Sequence, residues 1–209
     1  MSIHLFSVSD EYISRLSTID HRVLSNHEND RKHNRPYVGF LVFIKPFHYF
    51  LPLSSKDPRD YGEDGKLKPS TQTILRMVLQ NGTFLGKVLL NNMIPVPLSQ
   101  IQEISLNKHA RFSNQEDSNY GLLLIKEARW IDEHKDSIIK KANWVYRYKI
   151  NEKNWAYWSG RKVPGFLKAT VDFKKVEEFM IQNYDGETLI EKSKLQSFVL
   201  KRSLKFSGV

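Results

Sequence analysis

The sequence predicts an α+β domain built on an antiparallel sheet. Two pairs of apolar, β-branched and aromatic runs joined by short turns are typical of β-hairpins, and two longer stretches carry apolar residues at helical spacing. A chain of 209 residues is long enough to bury a sizeable core in one domain. We therefore expect a single domain over residues 1–209, with helices packed around the sheet.

The N-terminal half should begin the sheet. Residues 3–9 alternate loosely as a first strand, and Asp10 follows as the cap of a short helix. The first hairpin pairs residues 37–44 with residues 48–53 across a turn at residues 45–47. These elements are predicted to be mostly buried, because both runs of the hairpin are apolar.

A second hairpin follows a polar loop. Its apolar runs are residues 73–80 and 83–90, and the Asn-Gly pair between them is a strong signal for a type I′ turn. Pro95 and Pro97 then restrict the chain to an edge strand or an extended crossing. Residues 99–106 fit either a short helical turn or further extended chain.

Two helices complete the predicted fold. A long helix should run from Tyr120 to about Lys141, because its apolar residues recur at spacings of four, three, seven and four. A terminal helix begins after Asp172, which is its predicted cap, and turns its apolar residues toward the core. Between these helices, residues 143–168 are predicted to be a basic aromatic insertion, mostly loop with one strand or an extension of the helix.

The open end of the first hairpin concentrates polar chemistry. An antiparallel hairpin brings its two free ends together, so Arg35 should lie beside Ser54, Ser55 and Lys56. Tyr37 begins the first run of this hairpin, next to the same end. Cations and hydroxyls are therefore expected to converge at one edge of the sheet.

Positive charge is concentrated in one segment. The chain has 32 basic and 23 acidic residues, a formal charge of +9, and residues 135–175 account for +8 of it. Aromatic rings are interleaved with these cations, a pattern that suits single-stranded nucleic acid, although a solvated basic face over an aromatic core fits equally well. The candidate RNA-binding residues are Lys32, His33, Tyr120, Lys126, Lys140, Lys141, Arg147, Lys149, Arg161 and Lys162.

Composition excludes several classes of protein. Hydrophobic residues at 40% and aromatic residues at 12% are incompatible with wholesale disorder. Membrane-spanning runs, a signal-peptide pattern and cysteines are missing, so we expect a soluble cytoplasmic protein without disulfides or thiolate metal sites. Phosphate-loop, dinucleotide-binding, GxSxG and HExxH motifs are also missing.

The remaining cationic, hydroxyl-bearing site suits cleavage of RNA by its own 2′-hydroxyl. The nucleophile belongs to the substrate, so the protein need only align it, stabilise the phosphorane and assist proton transfer, and no metal ion or cofactor is required. Arg35 and Lys56 would stabilise the charged transition state, while the two serines hold phosphate oxygens or the 2′-hydroxyl. An ordinary serine is a poor base, so the acid and base stay open, with Tyr37 and His33 as candidates.

Five stretches of sequence, taken in order, carry a resemblance to a known family. They are FSVSDEYISRL, RPYVGFLVFI, HYFLPLSSK, GKVLLNNMIPVP and YGLLLIKEARWI. Together they resemble the ToxN/AbiQ family of type III toxin–antitoxin endoribonucleases, over residues 3–142, and the terminal helix also fits. The resemblance implies a compact, highly curved antiparallel sheet like that of the Kid and MazF toxins, surrounded by helices.

The resemblance also implies a function. Members of this family are metal-independent endoribonucleases that leave a 2′,3′-cyclic phosphate and a 5′-hydroxyl. The implied partner is an RNA antitoxin of short tandem repeats folded as pseudoknots, held in closed toxin–RNA assemblies, and the implied role is phage abortive infection or growth arrest. The family's serine pair falls on Ser54 and Ser55 of this chain, its lysine on Lys56 and its basic residue on Arg35.

This chain departs from the family pattern in three places. Relatives often place a proline between the serine pair and the lysine, whereas Lys56 follows Ser55 directly. The family's helix motif often has lysine and then glutamine, and here Lys126 is followed by Glu127. The insertion at residues 143–168 exceeds what the family leads us to expect and indicates a separate subfamily, such as a TenpN- or CptN-like one.

Two other functions stay open at this point. A non-catalytic RNA-binding module would use the same basic aromatic surface without cleaving RNA. A metal-dependent nuclease would use the carboxylates of Asp57, Asp60 and Glu63 and would lose its activity in EDTA. The ordered family motifs favour the metal-independent endoribonuclease.

Overall fold

An antiparallel sheet with helices packed on it confirms the α+β prediction. The computed structural model describes residues 3–24, 37–105, 115–154, 160 and 162–188, and over these residues the sheet has seven strands. Their order is β4-β5-β3-β2-β1-β7, and β6 pairs with β3. The strands are β1 (Leu5–Val8), β2 (Val38–Ile44), β3 (Phe47–Ser54), β4 (Ile74–Val78), β5 (Phe84–Leu89), β6 (Ile94–Pro95) and β7 (Ile101–Ile104).

The helices keep some of the predicted bounds and extend beyond others. They are α1 (Asp10–Ile19), α2 (Gln115–Ile150), α3 (Gly165–Lys168) and α4 (Phe173–Thr188). The cap of α1 is Ser9 rather than Asp10, since the Ser9 hydroxyl accepts a hydrogen bond from the Tyr12 N–H at 3.2 Å. The helix α2 continues past Lys141 because buried Ala142 and Val145 extend its apolar stripe. The first part of the basic aromatic segment is therefore helix.

The first hairpin has the predicted strands and a shorter turn. Its register runs from Gly39 opposite Pro52 to Ile44 opposite Phe47, so only residues 45–46 form the turn. The peptide bond between these two residues is cis. Both strands are buried over most of their length, which makes this hairpin the centre of the core.

Gly39 lets the two strands of this hairpin approach closely. A Cβ added there would lie 2.3 Å from the Leu51 carbonyl oxygen and 2.6 Å from Cζ of Phe50. We expect Gly39→Ala to lower the free energy of unfolding by about 1–3 kcal/mol, because the backbone must shift to admit the methyl group. Urea denaturation measures this. The matched control is Gly165→Ala, where nothing lies within 4 Å of the added atom, and equal stability of the two variants would contradict the prediction.

The second hairpin forms as predicted, but its turn lies one residue earlier. The Gly82 N–H donates to the Leu79 carbonyl and the Leu79 N–H donates to the Thr83 carbonyl, each at 2.9 Å. Gln80 and Asn81 are thus the central residues, and Gly82 follows them with φ of +82°. The type I′ prediction was wrong because this loop places its single left-handed residue after the turn, where glycine is favoured.

After the second hairpin, the chain contains both a helical turn and extended segments, which the sequence had left as alternatives. The short strand β6 lies along β3, with Pro95 opposite Tyr49 and Ile94 opposite Phe50. A 3₁₀ turn at Leu98–Gln100 then leads into β7, which pairs with β1. Residues 99–105 therefore hold a helical turn and extended chain in succession.

The helices α2 and α4 meet over β3 at a half-buried carboxylate. The Glu177 Oε1 atom on α4 accepts hydrogen bonds from Tyr49 of β3 at 2.5 Å and Tyr146 of α2 at 2.9 Å. Near the start of α4, the Asp172 N–H donates to the Asp20 carboxylate at 2.7 Å. The C-terminal helix is thus tied to both the sheet and the N-terminal region.

None of the helices in the described ranges combines the length and apolar character needed to cross a membrane.

Candidate functional site

The predicted serine pair stands where β3 leaves the sheet. Ser54 is the last residue of β3, half-buried and opposite Lys87 of β5. Ser55 and Lys56 follow directly and are exposed. The structure therefore presents two hydroxyls and an ammonium group together at one strand end, as the sequence predicted for residues 54–56.

A row of side chains across three strands adds two cations that sequence reasoning missed. Lys87 lies opposite Ser54 on β3 and also opposite Arg76 on β4. Residues directly opposite one another share a face of the sheet, so these three side chains form one row. The hairpin pattern could have paired Arg76 with Lys87, but nothing local showed that β5 lies beside the end of β3.

Asp60 lies in the loop that follows the serines, and its carboxylate compensates the charge of both Lys87 and Arg76. It is 2% exposed, and its carboxylate contacts Lys87 Nζ at 2.8 Å and an Arg76 guanidinium nitrogen at 3.1 Å. The Asp57 N–H also donates to it, at 3.0 Å. Because this carboxylate has three donors, it fixes the loop that follows Lys56 against the strands.

Two of the three acidic residues considered for a metal site, Asp57 and Asp60, have other partners. Asp60 is bound to the two cations of the row, and Asp57 accepts hydrogen bonds from the Arg59 N–H and guanidinium at 2.7–2.8 Å. These bonds hold the pKa of Asp57 well below its usual range. Over the described ranges, no three Asp, Glu or His side chains are grouped as metal ligands would be.

Two further residues were predicted to be catalytic, Tyr37 and Arg35. Tyr37 is 2% exposed, and its ring packs 5.4 Å from that of Phe50. This burial makes Tyr37 a packing residue in the structure, in contrast to exposed Ser55 and Lys56. Arg35 lies outside the described residues, so its approach to Lys56 stays a prediction.

The predicted RNA-binding cations of α2 lie mainly on one exposed stripe. Lys126, Lys140 and Arg147 are exposed and separated by 14 and 7 residues, close to whole numbers of helical turns. Exposed Glu133 interrupts this stripe halfway. Of the other candidates, Lys162 is exposed, Tyr120 and Lys141 are half-buried, and Lys32, His33 and Arg161 lie outside the described residues.

Lys149 does not present its charge to solvent. It is 5% exposed, and its Nζ atom donates to Glu152 and to the Leu167 carbonyl, both at 2.9 Å. The prediction counted it as an RNA-binding residue from charge alone. Because α2 continues to Ile150, Lys149 falls four residues after Val145 on the buried stripe and instead joins α2 to α3.

Most of the described rings in the basic segment also pack within the protein. Tyr146 and Phe173 lie against each other, with ring centroids 5.6 Å apart, and Phe173 is fully buried. Trp144 packs against Tyr148 at 4.3 Å and Phe166 at 5.6 Å. A basic face over an aromatic core is thus the better description of this part, and residues 155–159 lie outside the described residues.

A buried carboxyl group lies behind the serine pair. Glu127 of α2 is 4% exposed. A Cβ added at Gly86 of β5 would lie 2.9 Å from Glu127 Oε1 and 2.7 Å from the Ser54 carbonyl oxygen, so both atoms use the space that this glycine leaves. Burial raises the pKa of Glu127 to about 8. Its place on the apolar stripe, three residues after Leu124 and four before Ile131, was a sequence signal that could have found it.

Comparisons with known proteins agree on one family. The family model described as toxin ToxN of type III toxin–antitoxin systems matches residues 4–181. Endoribonuclease ToxN of Bacillus thuringiensis subsp. kurstaki is 28% identical over 199 residues, covering 95% of this chain and 93% of the relative. Endoribonuclease AbiQ of Lactococcus lactis subsp. lactis is 30% identical over 184 residues, covering 85% of this chain and 87% of the relative.

Solved structures show the same likeness. One, of a type III toxin–antitoxin system whose toxin is selectively inhibited by a non-coding RNA pseudoknot, superposes with a TM-score of 0.63 at 29% identity, covering 87% of this chain and 97% of that chain. Another, of AbiQ, a lactococcal anti-phage endoribonuclease, gives a TM-score of 0.67 at 26% identity, covering 88% of this chain and 99% of that chain. The similarity therefore extends over nearly the whole length of both neighbours.

Proposed function

Since this chain belongs to the ToxN family of type III toxin–antitoxin toxins, we propose that it is an endoribonuclease that cleaves RNA at the exposed end of β3. The observation that carries the proposal is the position of residues 54–56. Within a family whose relatives are named endoribonucleases, Ser55 and Lys56 leave the sheet exposed, and half-buried Ser54 lies opposite a second lysine, Lys87. Hydroxyls and cations placed together are what the transition state of phosphate transesterification requires.

The reaction we propose is attack by the RNA's own 2′-hydroxyl. A bond forms between the 2′-oxygen and phosphorus, the bond from phosphorus to the 5′-oxygen breaks, and the products are a 2′,3′-cyclic phosphate and a 5′-hydroxyl. Lys56 and Arg35 stabilise the extra negative charge of the phosphorane, while Ser54 and Ser55 hold its oxygens. Each donor of this kind is worth about 2.7–4 kcal/mol in comparable sites. No metal ion takes part.

The exposed stripe of α2 gives the RNA a path away from the cleavage site. Lys126 stands one residue before Glu127, which lies behind the serines, and Arg147 lies 21 residues further along the same face. At the rise of an α-helix this separation is about 30 Å. Phosphates that follow the stripe would meet cations at both ends and at Lys140, although Glu133 weakens the middle.

The proposed partner is an RNA antitoxin. One similar structure concerns a toxin inhibited by a non-coding RNA pseudoknot, and another an anti-phage endoribonuclease. By analogy we propose that repeats of a pseudoknot RNA occupy the serine site and the α2 stripe in a closed toxin–RNA assembly, in the cytoplasm. A role in abortive infection or growth arrest follows from this. The highly curved, Kid- or MazF-like shape implied for the sheet belongs to the same proposal.

An assay of RNA ends tests the activity. Purified protein incubated with RNA in excess EDTA should still cleave it, because the site needs no metal, and the fragments should carry 2′,3′-cyclic phosphates and 5′-hydroxyls. Mass spectrometry of the fragments distinguishes these ends from 3′-hydroxyls. Adding an RNA of the antitoxin repeats should inhibit the cleavage. RNA that stays intact at micromolar protein, or fragments that end in 3′-hydroxyls, would overturn the proposal.

A further inference from the structure

Glu127 is a buried carboxyl group with no partner in the described part of the chain. It is 4% exposed, yet no hydrogen bond or ion pair joins it to another described residue. Its oxygens are not fully enclosed, so they keep some contact with solvent. A buried polar group without a partner is costly, which indicates that something other than the described chain engages this one.

The Glu127 carboxyl group lies beside the backbone at the end of β3, on the face of the sheet opposite to the row of Ser54 and Lys87. The Ser54 carbonyl oxygen and Glu127 Oε1 both approach the point where a Gly86 side chain would begin, at 2.7 and 2.9 Å. The third neighbour of that point is apolar, the Met77 methyl group at 3.6 Å. The carboxyl group therefore lies near the Ser54 carbonyl, immediately before the exposed Ser55.

Charged groups around Glu127 do not neutralise it. Lys126 on its own helix and Lys56 beyond the serines are exposed. Lys87 follows Gly86 on β5, so it points to the opposite face of the strand, where it is bound to Asp60. Burial alone raises the pKa of Glu127 to about 8, and the group is mostly protonated at neutral pH.

We propose that Glu127 is the general acid of RNA cleavage, the group that gives a proton to the departing 5′-oxygen. The inference rests on the proposed function and assigns the proton donor that the proposed function leaves open. The 2′-oxygen bonds to phosphorus, its proton passes to water, and the bond from phosphorus to the 5′-oxygen breaks. The Glu127 proton moves to that oxygen to form the 5′-hydroxyl, and solvent then reprotonates the carboxylate.

A substrate with sulfur at the 5′-bridging position tests this role. A thiolate leaves without a proton, so a general acid is not needed for it. On ordinary RNA we expect Glu127→Gln to cleave about 10²-fold more slowly than the wild type, with RNA binding unchanged. On the 5′-thio RNA the two proteins should cleave at nearly equal rates. Ser55→Ala, which impairs a different task, should stay slow on both substrates.

The stability of the variant separates chemistry from folding. A folded pKa above the unfolded value means that the folded protein holds a proton which the unfolded chain releases, so stability falls as pH rises toward about 8. The glutamine amide carries no charge, and Glu127→Gln should therefore be at least as stable as the wild type at pH 8. Thermal unfolding measures this.

Each outcome decides the inference. If Glu127→Gln cleaves ordinary RNA at the wild-type rate, Glu127 is not the acid. The same holds if the variant is slower than the wild type by the same factor on both substrates. A variant that fails to fold leaves the wild type as the test: its rate should decline above about pH 8 on ordinary RNA but not on the 5′-thio substrate. Wild-type protein that cleaves neither substrate would overturn the proposed function itself.

Discussion

Replacing Ser55 with alanine should lower the rate of RNA cleavage by about 10²–10³-fold. The Ser55 hydroxyl is exposed immediately after β3, beside Lys56, where it can donate to an oxygen of the phosphorane. Loss of one such donor in a preorganised site costs about 2.7–4 kcal/mol of transition-state stabilisation. Single-turnover cleavage of a labelled RNA measures the rate, and binding of an uncleavable 2′-deoxy analogue should change little.

A serine elsewhere on the surface provides the matched control. Ser14 is exposed on α1, so Ser14→Ala removes the same hydroxyl at a position that the proposed site does not use. Its cleavage rate should equal that of the wild type. If Ser55→Ala also cleaved at the wild-type rate, the serine pair would have to be abandoned as the centre of the site.

Replacing Asp60 with alanine should destabilise the protein by about 3–5 kcal/mol. The substitution removes the carboxylate that compensates Arg76 and Lys87, whose side chains are only 8% and 12% exposed. Two buried cations without a counter-charge are far more costly than the loss of an exposed ion pair. Urea denaturation should show the loss, and cleavage should also weaken because Lys87 stands next to Ser54.

Asp64 lies in the same loop and serves as the comparison for Asp60. Its side chain is 59% exposed and 3.7 Å from Lys66, so Asp64→Ala should change the free energy of unfolding by less than about 1 kcal/mol. The variant Asp60→Asn keeps the size of the side chain and loses its charge, and it should fall between the two. Similar stabilities for Asp60→Ala and Asp64→Ala would show that the buried cluster contributes little.

The sequence predicted those parts of the fold that depend on local patterns. Both hairpins were recognised from apolar runs and turn residues, and the exposed end of β3 follows directly from the first of them. The helix α2 was predicted too short because the basic residues after Lys141 obscured an apolar stripe that continues to Val145.

Long-range packing explains what was missed. The pairing of Ser54 with Lys87 joins residues that are far apart in the chain, and no local pattern encodes it. The same is true of Asp60 beneath the row and of Glu127 against Gly86. Lys149 shows the opposite error, since counting charges gives no direction for a side chain that packing turns inward.

The ties between α4 and the rest of the molecule bear on how the protein is made. The Asp172 N–H donates to Asp20, and Glu177 joins Tyr49 to Tyr146, so α4 completes a core whose described strands are all translated before it. A nascent chain that has not yet released α4 from the ribosome lacks these bonds and leaves apolar surface of β3 uncovered. Full stability therefore comes only after α4 has left the ribosome.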